Sequence, residues 1–410
     1  MRNEPITFKI KTLTPLWTGG ADEKMDRIHE TGIIGSIRWW YEAIVRGLGY
    51  YVCDPTDLNI RCPGEVNKKQ RKEYCLACLL FGSTGFKRRF RVSLYHPEFE
   101  SDKSASFKVL SGREHKGKKG GWFINSGYSN DYILSVTPLD EDFNSILIQL
   151  PLKLAANCGA LGAKPQLGYG VFNFEEKTEL STARFIESIS KISSDEKLKK
   201  SDIRLRNKTI DSFNYPNIKE MFFAKIRFRT TEKGWWKGIN GLKQFSSLAL
   251  KNWIDNCSAP ISPTIKNWLR YNNGSAFWKL QKCKTGELAK WLFGVISKDG
   301  NIASKINISG AYKPIKDEKD LWEFRIWGWV PPQYEKCSNF NREEVLNGLK
   351  ELLLNAEVKD WQNLFGKSTR SFKLNSWREF NSDRDTKSRL SNINDYINSL
   401  VRDGSKGVKK

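Results

Sequence analysis

Between Gly159 and Phe172 the chain reads GALGAKPQLGYGVF, fourteen residues with four glycines, one proline and one lysine. Glycine loses more conformational freedom on folding than any other residue, so this density needs a reason. The stretch follows the apolar run ILIQLPLKLAAN and runs into the strand-like VFNF. Whatever fold forms must bring something close to a bare backbone between two regular elements.

Tight turns gather backbone N–H groups around an anion, and absent side chains let a phosphate approach them. Gly162, Gly168 and Gly170 would supply that backbone, with charge from Lys164, an amide from Gln166 and a stacking face from Tyr169. The spacing matches neither the dinucleotide fingerprint nor the nucleotide-cradling P-loop. A helix C-cap followed by two turns is the competing explanation and uses two or three of the glycines.

Charge favours the anion. Lys and Arg number 68 against 46 Asp and Glu, a net +22, and nucleic acid is the commonest polyanionic partner. No apolar run approaches the roughly eighteen to twenty residues of a membrane span. The start, MRNEPITFKI, has no signal-peptide core. Eight cysteines in 410 residues do not make a disulfide scaffold. The reading is a cytoplasmic, reduced protein with no membrane partner.

Length predicts two domains. Residues 6–13 alternate as a strand. A helix is expected from near Ser36, with Ile37, Trp40, Tyr41, Ile44, Val45 and Leu48 on one apolar face. ILIQLPL reads as a further strand. The polar stretch 191–215 reads as a linker or an inserted helical arm. Beyond it the pattern recurs in order: FKIKTL is answered by AKIRFR, IIGSIRWW by ISPTIKNW, and LLFG by WLFG. WEFRIWGW adds a strand, 341–356 a helix, and the last thirty residues a polar helix with a frayed tail. Each half orders as strand, helix, strands, helix, strand. The expectation is an α+β protein of tandem ferredoxin-like (RNA-recognition-type) domains, 1–190 and 216–410, with helical and loop insertions.

Other stretches carry candidate chemistry. In GIIGSIRWW, Ser36 as helix N-cap would leave the positive dipole end open to a phosphate, with Arg38 holding a neighbour and Trp39 stacking on a base. The competing reading pairs Arg38 with Glu42 and buries Trp39 under a loop. Lys266 is the counterpart of Arg38 in the second half. In GFKRRFRVSLY, a strand would project Lys87, Arg89 and Arg91 from one face, with Arg88 at its start. The loop 101–121 is basic and glycine-rich. Cys53, Cys62, Cys75 and Cys78 suit a four-thiolate zinc site or a buried helix turn. The loop 18–30 holds Asp22, Glu23, Asp26, His29 and Glu30, acid–base groups that an RNA-cleaving site or an ordinary polar loop would both carry. FGKST ends like a P-loop, but Trp361 stands where that motif needs glycine, so ATP binding is excluded.

Taken together, TPLWTGG, GIIGSIRWWYEAIVRGLG, CLACLLFGSTGFKRRF and GALGAKPQLGYGVF resemble the RAMP superfamily of CRISPR proteins. More narrowly they resemble the family of subunit one of the type III-B (Cmr) effector complex. In the second half ISPTIKNWLR and WLFG carry the likeness, and NLFGKSTRSFKL, with Gly366, Lys367 and Arg370, stands as a degenerate glycine-rich loop. The resemblance implies tandem ferredoxin-like domains that bind crRNA or target RNA beside other Cmr subunits, in antiviral defence. It also implies that target cleavage belongs to an aspartate in the repeated backbone subunits. A RAMP endoribonuclease using Asp26 or His29, and an assembly protein without RNA contact, are the alternatives.

Overall fold

The computed structural model describes residues 4–20, 24–58, 60–66, 71–97, 105–115, 118–175, 179–194, 215–271, 276–279, 283–297 and 300–403. Asp22, Glu23, most of the 191–215 segment, parts of the 101–121 stretch and the GSKGVKK tail lie outside them. The described part of 101–121 corrects the expectation of a loop, since it pairs as two antiparallel strands.

The first unit runs β1 (Ile6–Thr12), α1 (Glu30–Gly47), a short hairpin of β2 (Gly64–Val66) and β3 (Arg71–Glu73), α2 (Leu76–Phe81), β4 (Phe90–Tyr95), a long hairpin of β5 (Ser106–His115) and β6 (Lys118–Asn125), β7 (Asp131–Pro138), α3 (Ile146–Cys158), β8 (Phe172–Phe174) and α4 (Thr182–Ser193). Its antiparallel sheet has the order β4-β7-β1-β8. Strand alternation turns Phe8, Ile10, Leu134 and Val136 inward, and leaves Lys9 paired with Asp131 outside.

The second unit runs β9 (Met221–Thr230), α5 (Leu248–Asp255), β10 (Ser258–Ala259), α6 (Ser262–Tyr271), α7 (Ala276–Lys279), α8 (Thr285–Phe293), a hairpin of β11 (Val295–Ser297) and β12 (Gly300–Ile302), β13 (Ile306–Ile308), β14 (Ala311–Tyr312), β15 (Leu321–Trp329), α9 (Arg342–Asn355), α10 (Val358–Phe365), β16 (Thr369–Glu379) and α11 (Ile393–Arg402). Its first strand again lies inside the sheet, in the order β10-β14-β15-β9-β16, with β13 also on β15. β1 and β9, α1 and α6, and the helix ends Phe81–Gly82 and Phe293–Gly294 hold matching places, as the recurring segments predict.

ILIQLPL corrects the expectation of a strand: it opens α3, and every residue from Ile146 to Cys158 is buried. A run that is apolar on all sides has no period to read, and thirteen residues are too many for an ordinary strand. Three polar side chains inside α3 all have partners. Gln149 donates to Ser145 Oγ at 2.9 Å and Lys153 to the Phe174 carbonyl at 3.3 Å. Asn157 Nδ2 donates to the Leu400 and Val401 carbonyls at 2.9 and 2.8 Å. Those last bonds dock α11 on the first unit, and Thr182 adds another through Asn398 Oδ1 at 2.8 Å.

The two units share one apolar core. Trp40 of α1 stacks on Phe223 of β9, with ring centres 6.3 Å apart. Arg325 of β15 is buried and donates to the Ala156 and Gly159 carbonyls at 2.7 and 2.9 Å. A guanidinium there meets the negative end of the α3 dipole. Cys283 and Cys337 are joined by a disulfide, which corrects the expectation that all eight cysteines are thiols. Their Cα atoms, 5.8 Å apart, lie within bridging range. Among the described residues no helix is long and apolar enough to cross a membrane.

Candidate nucleic-acid interface

The helix that should open at Ser36 opens at Glu30, after His29, whose N–H donates to Thr18 Oγ1 at 2.9 Å. Ser36 therefore sits in the second turn, where its Oγ accepts the Gly162 N–H at 3.1 Å. A phosphate seat on a Ser36-capped helix start is not formed. What Ser36 does is tie α1 to the glycine-rich turn.

That turn is folded against the protein's own backbone. Gly162 bonds to Ser36, Ala163 N–H to the Trp17 carbonyl at 2.8 Å, Gly168 N–H to the Pro165 carbonyl at 3.1 Å, and Gly170 N–H to the Pro15 carbonyl at 2.9 Å. The glycine requirement is clearest at Gly168 and Gly170, at φ 101° and 85°. A Cβ at Gly168 would meet the Gly310 nitrogen of the second unit at 2.7 Å, and one at Gly170 the Leu161 carbonyl at 1.9 Å. What approaches the bare backbone is the chain itself, so the capping-and-turn explanation accounts for these glycines. Tyr169 lies beneath, fully buried, its hydroxyl donating to the Asn125 carbonyl at 2.7 Å and its ring edge-on to Trp253. It offers no face to a base. Lys164 adopts a left-handed φ of 57° and holds its ammonium 3.5 Å from the centre of the Trp17 ring.

Above this turn an open groove of about 440 Å³ runs between the units. One wall is the outer face of α1, with Gly32, Gly35, Ser36 and Trp39. The other carries Gly162, Ala163, Pro165 and Gln166, and the second unit closes it with Ala303, Ser304 and Asn307. Trp40 and Trp327, both buried, form the floor. Trp39 stands edge-on to Trp40, half-buried. The lining offers an indole, small residues that leave space, and the polar tips of Ser36, Gln166, Ser304 and Asn307. Among the described residues, no aspartate, glutamate, histidine or cysteine lines it. Such a surface suits stacking and hydrogen bonding to a flexible chain, and its described residues present no acid or base.

Of the expected residues, Ser36, Trp39, Gly162 and Gln166 meet in the groove. The cations do not. Arg38 turns away, its Nε 2.7 Å from Glu42, with further bonds to the Gly82 carbonyl and Cys78 Sγ at 3.4 Å each. Burial opposes its charge, but Glu42 more than offsets that and holds the guanidinium protonated. Lys266 is buried beside Trp122, its ammonium 4.9 Å from the ring centre. Burial, and then Arg270, bring its pKa down to about 7. Arg89 is also interior, against Asp140 at 3.1 Å and the Leu79 carbonyl at 3.2 Å, because β4 begins only at Phe90. Lys87 and Arg91 are exposed and Arg88 is half-buried. They flank or lie on β4, the sheet edge opposite β8, so about three interstrand spacings (~14 Å) separate that edge from the strand that the glycine-rich turn feeds.

Ser304 and Asn307 were missed. They follow a short hairpin in the second unit, and only the apposition of the two units brings them to the groove. Two clusters lie outside it. Asp26 Oδ1 and His29 Nε2 are 2.7 Å apart at the start of α1. Cys53, Cys62, Cys75 and Cys78 converge beneath α1, all buried, their Sγ atoms within 4.8 Å of one another.

Residues 9–173 match the profile of the RAMP superfamily. A comparison with curated proteins finds no match. Among solved structures, Cmr1 from Pyrococcus furiosus (apo form) aligns at 14% identity and a TM-score of 0.35, over 83% of this chain and 92% of that one. A chain of the type III-B Cmr-beta complex bound to cognate target RNA aligns at 12% identity and a TM-score of 0.37, over 84% of this chain and 98% of that one. A second Cmr-beta structure, with target RNA, AMPPnP and ssDNA, gives 11% identity and a TM-score of 0.37, over 86% and 99%.

Proposed function

We propose that this chain, a RAMP superfamily protein over residues 9–173, is a non-catalytic RNA-binding subunit of a type III-B CRISPR (Cmr) effector assembly. On this reading the repeated strand order represents tandem ferredoxin-like domains, and RNA, guide or target, lies along the groove between them. The observation that carries the reading is the groove itself. Trp39, Gln166 and Asn307 face a trough bounded by small residues, on a chain of net charge +22. The motifs shared with the Cmr subunit-one family support the same assignment. With no charged side chain among the described lining residues, base identity is left to guide–target pairing, and the protein holds sugar, phosphate and ring faces.

The test is fluorescence anisotropy of labelled, unrelated single-stranded RNAs with the full chain. Trp39→Ala should weaken all of them about equally, by roughly 5- to 150-fold, the range that losing one stacked base gives. Unchanged affinity, or losses that differ strongly between sequences, would remove the groove from the RNA path. The Asp26–His29 pair favours a second reading, because a carboxylate-oriented imidazole is a general base in form. Neither residue lines the groove. Incubating the same RNAs with and without divalent metal should therefore leave them intact, and cleavage lost in His29→Ala would establish the endoribonuclease instead.

A further inference from the structure

We propose that Cys53, Cys62, Cys75 and Cys78 hold one zinc ion in a closed tetrahedral thiolate site that fixes the inner face of α1. The geometry leads to this. A tetrahedral centre with Zn–S bonds of about 2.3 Å places its sulfurs about 3.8 Å apart. Here Cys53 Sγ lies 3.6 Å from both Cys75 and Cys78 Sγ, and all four sulfurs fall within 4.8 Å of one another. None of the four is in a disulfide. The sulfurs are too close together to enclose a polynuclear cluster, so the site is mononuclear. Four buried sulfur donors select a soft, tetrahedral ion, and with all four positions taken none is left for a substrate.

The surroundings supply charge of the opposite sign. Zinc displaces four thiol protons, leaving a centre of charge −2. Arg38 and Arg46, both half-buried, contact the buried Glu42 at 2.7 and 3.5 Å, so this row carries one positive charge in excess. Arg38 Nη2 points at Cys78 Sγ from 3.4 Å, and Arg46 donates to the Cys53 carbonyl at 3.4 Å. The Cys75 N–H is directed at Cys62 Sγ at 3.2 Å. Neutral thiols would leave the excess cation of this half-buried row without a counter-charge, whereas a zinc-thiolate centre of charge −2 offsets it and keeps a net −1. Arg38 thereby has a role that phosphate contact does not give it. It couples the metal to α1, the helix that carries Trp39 about 100° around its axis from Arg38.

The test is the metal content of the full chain, purified under reducing conditions from zinc-supplemented cells and dialysed against a mild chelator. About one zinc per chain is expected, released when a mercurial caps the thiols. Cys75→Ser should abolish the signal, while Cys158→Ser, which alters a buried cysteine outside the cluster, should keep it. Should Cys75→Ser fail to fold, cobalt exchanged into the parent protein gives the second reading, through the ligand-field absorption of tetrahedral sulfur coordination. Arg38→Met should lower zinc affinity by about 10- to 100-fold in competition with a chromophoric chelator, as loss of an outer partner does. Substoichiometric metal in the parent, iron in place of zinc, or zinc retained by a folded Cys75→Ser protein would each overturn the site. RNA affinity enters none of these measurements, so the zinc centre and the RNA groove stand or fall separately.

Discussion

Arg38 and Lys266 occupy matching places on α1 and α6, and both turn their charge inward. A cation one turn into a helix looks like a phosphate ligand in a chain this basic, yet charge composition says nothing about direction. Direction comes from the neighbours: Glu42 one turn along α1 captures Arg38, while Trp122 and the core around α6 enclose Lys266. Enclosure has a measurable consequence. The folded Lys266 titrates near 7 and an ordinary lysine at 10.5. Between those values the unfolded chain binds more protons, so this residue's contribution to stability rises with pH across that window. At pH 7 and below it works fully against the fold. Lys266→Met should therefore be more stable than the parent by about 1–3 kcal/mol near pH 6, a gap that narrows as pH climbs toward 10.5. Urea unfolding of both proteins across that range checks it, and a gap independent of pH would mean the ammonium finds partners that offset its burial.

At the level of elements, legibility followed periodicity. β1 and β9 alternate, α1 repeats at helical spacing, and both were readable. α3 is apolar on every side, so its type was not readable, although its length and its two alanines pointed to a helix. LLFG and WLFG mark helices ended by a glycine with positive φ, at 84° and 73°, before the next strand. NLFG ends α10 in the same way, with φ 90° at Gly366. The motif is thus a helix stop first and a repeat marker only in combination with others. The site was half legible: Ser36, Trp39, Gly162 and Gln166 were visible as a glycine-rich turn and an aromatic helix start, but Ser304 and Asn307 come from the other unit. Among the links between the halves is Arg325, joined to Tyr312 at 2.8 Å and to the last carbonyls of α3. Arg325→Met removes those bonds and leaves Glu323 buried beside Tyr312 with one cation fewer. A loss of about 3–5 kcal/mol is expected. If urea unfolding shifts by less than about 1 kcal/mol, the shared core and the other links hold the units together without the guanidinium.

For the whole molecule, on the proposed reading, the net charge of +22 and a groove whose described lining carries no charge divide the work of binding an RNA. Charge acts over distance and through displaced counterions, so it sets the salt dependence. Stacking acts only on contact and is nearly blind to salt. If the protein neutralises around five phosphates, the slope of log affinity against log salt for single strands should be about −3.5. Lys164, at the groove's turn and carried on the Trp17 ring, belongs to the first class. Lys164→Ala should make the slope about 0.7 shallower and weaken unrelated RNAs equally. Trp39→Ala should lower affinity at every salt concentration and leave the slope where it was. A double variant should show both changes together, because one loss concerns counterions and the other a ring face. A slope that flattens with Trp39→Ala would mean that the indole positions a phosphate contact, and the groove would then bind RNA by its edge instead of along its length.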